Sequence, residues 1–300
     1  MSTSHLALDL SSHHDGVRCH KCLPPCIHTL SNVEIRRTMA ITTEAPEEET
    51  TILPKLRQGA SSQHQGELVW KEYFVNVPKA CLTTSVGSAL TQGLTYICIP
   101  NFATLEECMT LLESALEDRG YKPHVMAASQ VNFNWTRYSV ETMLDEGAKD
   151  VSAAFLARLL DLVEHDKELR QIFPANDNVP LSQLRATWYA EPDSEGIMQP
   201  EPKVNIYQEG GYFKQHTDGM QVTLLVILND EYEGGGTAFF AENDHEDQET
   251  QEQSLDYVVA RPSAGTAVIW GGNLLHMALP VTKGMRAVYV GSFDLDKEDA

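Results

Sequence analysis

The chain contains 300 residues with a mass of 33.4 kDa, which is enough for one large domain or two small ones. Hydrophobic residues make up 42% of it and charged residues 22%, proportions that suit a globular protein with a buried core. Its 22 Lys and Arg residues stand against 43 Asp and Glu residues, which gives a formal charge of −21. Because such a chain repels phosphate backbones, we expect no nucleic-acid partner. No apolar run of about 18 residues occurs, so we also expect no membrane association.

The cysteines and the N-terminal residues bear on the cellular compartment. The chain has six cysteines, too few and too unevenly placed for a disulfide framework, which favours a reducing compartment. Roughly the first thirty residues lack a basic start followed by an apolar stretch, so we expect no secretory signal. The expected location is the cytoplasm, with the nucleus and the organelles left open.

The first 62 residues differ in composition from the remainder. They are rich in Ser, Thr, Pro and His and have few periodic apolar positions, so we expect residues 1–62 to be a disordered tail and residues 63–300 to form the folded domain. Within the tail, Cys19, Cys22, Cys26 and His28 have the chemistry of a four-ligand zinc site. Their spacing is more compressed than in the usual paired knuckles, which favours a loose tail over a metal site.

Two helices are predicted before the strand-rich part of the chain. Thr104 and Glu107 have the spacing of a capping box and precede apolar residues at helical intervals, which predicts a helix that ends at Gly120. A second apolar stripe predicts a helix over Val151–Ile172, stopped by Pro174.

The other predicted elements are short strands, separated by Gly, Pro, Asn and Asp. They are expected at Thr95–Pro100, Leu184–Ala190, Lys203–Tyr207, Gln221–Leu228, Thr237–Ala241, Asp256–Ala260, Thr266–Trp270 and Met285–Phe293. Helices followed by many short strands indicate an α+β protein, in which the strands form a double-stranded β-helix (jelly roll) supported by N-terminal helices.

Three residues have the chemistry of a metal site. In an extended chain, His216 and Asp218 point to the same side because their spacing is two residues. His276 lies far enough downstream to return on another strand of the same roll. Two imidazoles and one carboxylate form the facial triad of non-haem Fe(II) oxygenases, although an isolated His-X-Asp is more often an ordinary polar strand end.

Arg286 interrupts a strand that is otherwise apolar on both faces. A buried guanidinium is costly unless an anion meets it, and its planar fork suits a carboxylate. The strand alone leaves open whether that carboxylate belongs to the protein. Together with the histidines and Asp218, it favours a bound dicarboxylic acid.

Four segments resemble the prolyl 4-hydroxylase-like branch of the 2-oxoglutarate/Fe(II) dioxygenases. Residues 207–218 (YQEGGYFKQHTD) resemble the iron-binding segment, and residues 228–237 (LNDEYEGGGT) the strand–turn–strand after it. Residues 276–286 (HMALPVTKGMR) resemble the distal histidine and the oxoglutarate-binding end. Residues 99–108 (IPNFATLEEC) are similar to the opening strand and helix, so the resemblance extends over 95–294.

The resemblance implies a dioxygenase that couples oxidative decarboxylation of 2-oxoglutarate to hydroxylation of a C–H bond. It implies Fe(II) held by His216, Asp218 and His276, with O2 as the oxidant and ascorbate as a further candidate cofactor. Arg286 is implied to bind the far carboxylate of 2-oxoglutarate, with the Tyr207 hydroxyl also reaching it.

Two neighbouring residues have weaker assignments. Thr237 follows three glycines and is expected to serve the turn and the packing rather than a ligand. Trp270 stands where the family is usually aromatic, and a cavity wall and a plain core residue are equally expected.

Several functions remain open at this level. The substrate we expect first is peptidyl proline, with a free amino acid or another small molecule as the alternative. A catalytically silent jelly roll that binds a partner, and a zinc hydrolase with the same ligand types, are further alternatives. The collagen-modifying members act in the secretory pathway, for which no signal is seen. The nucleic-acid demethylases carry a second arginine after the distal histidine, which is missing beyond Arg286.

Overall fold

The computed structural model describes residues 70–75, 84–117, 135–143, 145–173, 179–192, 197–240 and 257–296. The predicted tail over 1–62, its cysteine cluster and the predicted helix end at Gly120 lie outside the described residues. Among the helices that are described, none combines the length and the apolar character needed to cross a membrane.

The described residues contain three α-helices: α1 (Val86–Thr91), α2 (Leu105–Glu117) and α3 (Glu146–His165). Short 3-10 turns cover Val140–Thr142, Leu169–Ile172 and Leu181–Gln183.

The start of α2 confirms the predicted capping box. The backbone N–H of Glu107 donates to the Thr104 hydroxyl at 3.1 Å, and the Glu107 carboxylate accepts from the Thr104 backbone at 2.8 Å. Glu107 also pairs with Arg158 of α3 at 2.7 Å, which connects the two helices.

The bounds predicted for the second long helix are wrong at both ends. The helix begins at Glu146, five residues before Val151, because the Asp145 carboxylate caps it by accepting from the Gly147 backbone at 2.8 Å. It ends at His165 rather than Ile172. The Asp166 carboxylate accepts from the next backbone N–H groups, at 2.8 Å from Glu168, and starts a separate 3-10 turn.

Sixteen strands occur in the described residues. In chain order they are β1 (Lys71–Phe74), β2 (Thr95–Ile99), β3 (Trp135–Ser139), β4 (Arg185–Trp188), β5 (Ala190–Pro192), β6 (Met198–Pro200), β7 (Lys203–Tyr207), β8 (Phe213–His216), β9 (Val222–Ile227), β10 (Tyr232–Gly234), β11 (Thr237–Phe240), β12 (Tyr257–Ala260), β13 (Ala267–Gly271), β14 (His276–Ala278), β15 (Val281–Gly284) and β16 (Arg286–Asp296).

These strands form two main antiparallel sheets. The larger sheet has the order β1-β2-β13-β9-β16-β7-β3, with β4 also paired to β16. The smaller sheet has the order β12-β11-β14-β8, and β10-β15 and β5-β6 form two-stranded ribbons. Apart from β1-β2 and β11-β12, neighbours in both sheets are not consecutive in sequence, as in a jelly roll. The predicted fold, a double-stranded β-helix with supporting helices, is confirmed.

The two faces of the larger sheet pack against different partners. In β2, Ile97 and Ile99 join the cluster formed with α2 and α3, which includes Phe155. The alternate residues Tyr96 and Cys98 belong to a second cluster shared with the smaller sheet. This alternation follows from the two-residue period of a strand, and it leaves the inner face of the large sheet available to line a cavity.

The predicted strand bounds hold in part. Lys203–Tyr207 is confirmed at both ends, and the described ends of the other predicted strands differ from the observed ones by one to three residues where they differ. The predicted ends Ala241 and Asp256 lie outside the described residues. The predicted strand Leu184–Ala190 is wrong as a single element, because Tyr189 separates β4 from β5. The strands β3, β8 and β14, which the sequence analysis did not predict, carry residues of the candidate site.

Candidate active site

Two neighbouring strands of the smaller sheet bring the predicted metal ligands together. His216 ends β8, His276 begins β14, and the two residues are paired across the ladder. Asp218 lies two residues beyond β8, where its backbone N–H donates to the Gly272 carbonyl at 2.8 Å. Asp218 Oδ1 is 3.4 Å from His216 Nε2 and 3.7 Å from His276 Nε2. One potential ligand atom from each of the three residues lies within 4.8 Å of the other two.

Backbone carbonyls set the tautomer of both imidazoles. His216 Nδ1 is 2.8 Å from the Lys214 carbonyl, and His276 Nδ1 is 2.8 Å from the Leu274 carbonyl. A carbonyl only accepts hydrogen bonds, so both Nδ1 atoms carry the proton. The Nε2 lone pairs are therefore directed at Asp218, and this second hydrogen bond is the usual arrangement for a metal-binding histidine.

The second oxygen of the Asp218 carboxylate is held by two donors. Asp218 Oδ2 accepts from the Thr223 hydroxyl at 2.5 Å and from Trp270 Nε1 at 3.1 Å. These contacts orient the carboxylate so that Oδ1 faces the histidines. Trp270 also packs edge-on against the His276 ring, with centroids 4.9 Å apart. Trp270 thus both lines the cavity and positions a candidate ligand.

The protonation states of Asp218 and His276 suit a bound cation. Burial alone would raise the pKa of the Asp218 carboxyl, but the neighbouring His276 and His216 rings and the Thr223 hydroxyl outweigh it and lower this pKa to about 2. Burial lowers the pKa of the His276 imidazole to about 4, although the Asp218 carboxylate acts in the opposite direction. One carboxylate and neutral imidazoles are the donor set of a facial triad, so these residues fit Fe(II).

Arg286 is buried at the start of β16, on the cavity side of the large sheet. Its Nη2 donates to the Thr237 hydroxyl at 3.0 Å, and its guanidinium carbon lies 5.4 Å from the centre of the Tyr207 ring. Among the described residues, Arg286 Nε and Nη1 have no hydrogen-bond acceptor, and no carboxylate lies within ion-pair distance. The guanidinium therefore fits an added carboxylate better than an internal ion pair.

The residues around Arg286 modify one expectation. Thr237 was expected to serve the turn and the packing, yet its hydroxyl is on the guanidinium, at the edge of the cavity. The preceding glycines, Gly234 to Gly236, all have positive φ, a conformation that favours glycine. Burial raises the pKa of Tyr207, so its hydroxyl remains a donor at neutral pH.

One cavity of about 400 Å³ joins the metal-ligand cluster to Arg286. Its apolar wall includes Leu225, Val288 and Val290, and its size is within the range of small-molecule sites. Lys214 and Gln215 line it and are exposed, so they mark its opening.

A buried ionic network forms another wall of this cavity. Arg137 Nη2 pairs with Glu201 at 2.8 Å, Arg137 Nη1 contacts Glu191, and Arg137 Nε donates to Asn205 at 3.0 Å. Lys203 Nζ pairs with the same Glu191 at 2.6 Å. Burial raises the pKa of Glu201, although Arg137 acts to lower it. Burial also lowers the pKa of Lys203, although Glu191 acts to raise it. The network joins two cations to two anions.

No sequence pattern predicts this network or the role of Thr223. Arg137, Glu191 and Glu201 are separated by at least ten residues and follow no local pattern. Thr223 reads as an ordinary strand residue. The roles of these residues become clear only once the fold places β3, β5, β7 and β9 around one cavity.

Comparison with known proteins places part of this site in a family. Residues 202–293 match the sequence model of the "2OG-Fe(II) oxygenase superfamily". The search of curated proteins finds no match.

Several solved structures are similar to this chain at low identity. A prolyl-4-hydroxylase from Pseudomonas putida is 16% identical, and the match covers 69% of this chain and 97% of that chain at a TM-score of 0.44. A Trichoplax adhaerens prolyl hydroxylase, solved with a hypoxia-inducible-factor peptide fragment, is 15% identical over 73% and 94% of the two chains, at a TM-score of 0.44. The α-ketoglutarate-dependent epimerase SnoN from nogalamycin biosynthesis is 12% identical over 66% and 76%, at a TM-score of 0.45.

The matched segment contains the three candidate iron ligands as well as Arg286 and Tyr207. The superfamily expected from the sequence motifs is thereby confirmed. Over residues 202–293, which include the candidate iron ligands and Arg286, this chain is similar to the 2OG-Fe(II) oxygenase superfamily.

Proposed function

We propose that this chain is a non-haem Fe(II) dioxygenase that couples oxidative decarboxylation of 2-oxoglutarate to hydroxylation of a peptidyl proline. The observation that carries the proposal is one cavity that holds both the His216–Asp218–His276 cluster and the unsatisfied guanidinium of Arg286. When bound, Fe(II) with 2-oxoglutarate and O2 supplies the oxidising power for a C–H bond.

Each residue of the site has a defined task in this proposal. His216, Asp218 and His276 would hold the iron, and a three-residue ligand set would leave coordination positions for the keto acid and oxygen. Thr223 and Trp270 keep the Asp218 carboxylate turned towards the metal.

The other end of the cavity orients the cosubstrate. Arg286 would pair with its far carboxylate, with the Thr237 hydroxyl bonded to that guanidinium and the Tyr207 ring packed against it. The apolar wall formed by Leu225, Val288 and Val290 keeps water away from the reacting atoms.

The ionic network favours a peptide over a free amino acid. A free amino acid brings an ammonium and a carboxylate, and each of them needs a counter-charge when it is buried. Arg137, Glu191, Glu201 and Lys203 already pair with one another, two positive and two negative. A prolyl residue inside a peptide is neutral, so it can occupy this end of the cavity without leaving a charge unpaired.

The rim of the cavity also supports a peptide. The β5–β6 ribbon contributes Glu191 to the cavity wall. Tyr189, which also lines the cavity, is 38% exposed, and Ile197 and Met198 at the start of β6 are exposed to 55% and 56%. Exposed large apolar side chains on a ribbon that also contributes to the cavity wall suit the flanking residues of an extended ligand.

The proposal is tested by succinate release from 2-oxoglutarate under Fe(II) and air, with peptides that contain proline and with free L-proline and other amino acids. We expect succinate and a mass gain of one oxygen with at least one peptide, and neither product in the Asp218→Ala variant. Coupled turnover with a free amino acid alone contradicts the peptidyl assignment. A wild-type protein that binds neither Fe(II) nor 2-oxoglutarate contradicts the enzyme itself and favours the silent jelly roll.

A further inference from the structure

Two residues that line the cavity carry buried N–H groups without an acceptor. They are Arg286, at Nε and Nη1, and Trp135, at the indole Nε1, as judged over the described part of the chain. Trp135 is 7% exposed and Arg286 is 1% exposed, so bulk water does not satisfy them. An indole N–H donates and cannot accept, and a buried donor without a partner lowers stability. The Trp135 N–H lies near the Tyr207 hydroxyl without making a hydrogen bond of normal geometry to it, so an acceptor that the cavity receives would satisfy both donors.

The sheet register places the two residues at the same level of the cavity. Trp135 on β3 is paired with Tyr207 on β7, and Tyr207 is paired with Arg286 on β16. All three side chains lie on the same face, since paired residues of adjacent strands point the same way. The Tyr207 ring contacts both neighbours, with the indole stacked at 5.9 Å between centroids and the guanidinium carbon at 5.4 Å.

Phe213 separates the indole from the metal ligands. The rings of Trp135 and Phe213 are 5.2 Å apart, and Phe213 packs edge-on against His216 at 4.3 Å. Trp135 therefore belongs to the Arg286 end of the cavity rather than to the metal end.

We propose that Trp135 is a cosubstrate-binding residue, whose indole N–H donates to the carboxylate that pairs with Arg286. This inference rests on the proposed function and adds a residue to it. A carboxylate offers about four lone-pair positions, which accommodates the unsatisfied donors of Arg286 and Trp135 together. Trp135 thus contributes affinity for the dicarboxylate and discriminates against keto acids that lack the second carboxylate.

The test compares two keto acids that differ in that carboxylate. Isothermal titration of the anaerobic Mn²⁺-loaded full chain is done with 2-oxoglutarate and with 2-oxopentanoate, which has a methyl group in its place. Trp135→Phe keeps an aromatic ring and removes the N–H. We expect it to weaken 2-oxoglutarate binding by about tenfold, as for one hydrogen bond to a charged group. The affinity for 2-oxopentanoate should stay within about twofold of wild type.

Trp188→Phe is the matched control, because Trp188 packs on Phe293 at 4.9 Å and does not line the cavity. It should leave both affinities unchanged. The ratio of the two affinities is measured within one protein sample, so a partly unfolded variant still gives a valid result. Equal weakening of both keto acids, or none, overturns the role of Trp135 and leaves the proposed function standing. A wild-type protein that binds neither keto acid overturns both proposals.

Discussion

His276 stands directly opposite His216 in the β8–β14 ladder, with the two imidazole centroids 4.2 Å apart. These residues are sixty positions apart in the chain, so it is the pairing of two short strands that creates the cluster. Asp218 completes it from the loop after β8, where the Gly272 carbonyl fixes its backbone. The metal-binding geometry is therefore a property of the smaller sheet, and the large sheet supplies the residues that support it.

Loss of one imidazole should abolish binding of the iron–keto acid pair. Anaerobic Fe(II) with 2-oxoglutarate should give the weak visible absorption of a chelated keto acid, and His216→Ala should remove it, because two ligands no longer hold the metal firmly. His165→Ala is the control, since that histidine is exposed at the end of α3. An unchanged spectrum in His216→Ala, or tight zinc binding without this absorption in wild type, would contradict the assignment.

The two donors to Asp218 should affect metal affinity without disturbing the fold. Thr223→Val and Trp270→Phe each remove one hydrogen bond to Oδ2 and keep most of the side-chain volume. We expect each to weaken Mn²⁺ binding by about tenfold, a typical effect of residues that orient metal ligands. Equilibrium dialysis measures the affinity, and Thr187→Val, at an exposed threonine of β4, provides a control. Wild-type affinity in both variants would mean that the backbone alone orients Asp218.

The sequence predicts the metal ligands better than their surroundings, for physical reasons. His216, Asp218 and His276 could be predicted because a His-X-Asp followed by a distal histidine and Arg286 forms a combination that is typical of one kind of metal site. The strands β8 and β14 that carry them have four and three residues, too few for an alternating pattern to be read. Contacts such as that of Arg137 with Glu201 join residues 64 positions apart, so no local sequence pattern predicts them. The predicted start of α3 at Val151 is wrong because the Asp145 cap, rather than the apolar periodicity, determines where this helix begins.

Breaking the buried ionic network should destabilise the domain strongly. Glu191 neutralises both Arg137 and Lys203, so Glu191→Gln leaves two buried cations with one remaining carboxylate. Removing one partner of a buried pair typically costs about 3–5 kcal/mol, and urea unfolding should show a loss of that order. Lys283→Gln, which breaks the exposed pair with Glu233, should unfold like wild type. Equal midpoints for the two variants would show that the network is solvated in solution.

The N-terminal 62 residues should be dispensable for turnover. No candidate ligand of the metal or of 2-oxoglutarate lies there, and the composition does not favour a packed core. We expect the chain that begins at residue 63 to release succinate at nearly the full rate. A tenfold loss of activity would assign a function to this segment, and Cys19→Ser in the full chain would then test the cysteine cluster.

Arg286 should control cosubstrate affinity and have little effect on stability. It lacks a carboxylate partner among the described residues, so Arg286→Ala strands no buried anion and should change the melting temperature little. The lost charge-assisted contacts are worth roughly 1.5–3 kcal/mol each, which raises the KM for 2-oxoglutarate by about ten- to a hundredfold. Arg286→Lys should recover part of this, because an ammonium keeps the charge without the planar fork. Arg261→Ala, at an arginine that binds the Gly235 carbonyl outside the cavity, is the control. A large drop in melting temperature with an unchanged KM would instead make Arg286 a structural residue.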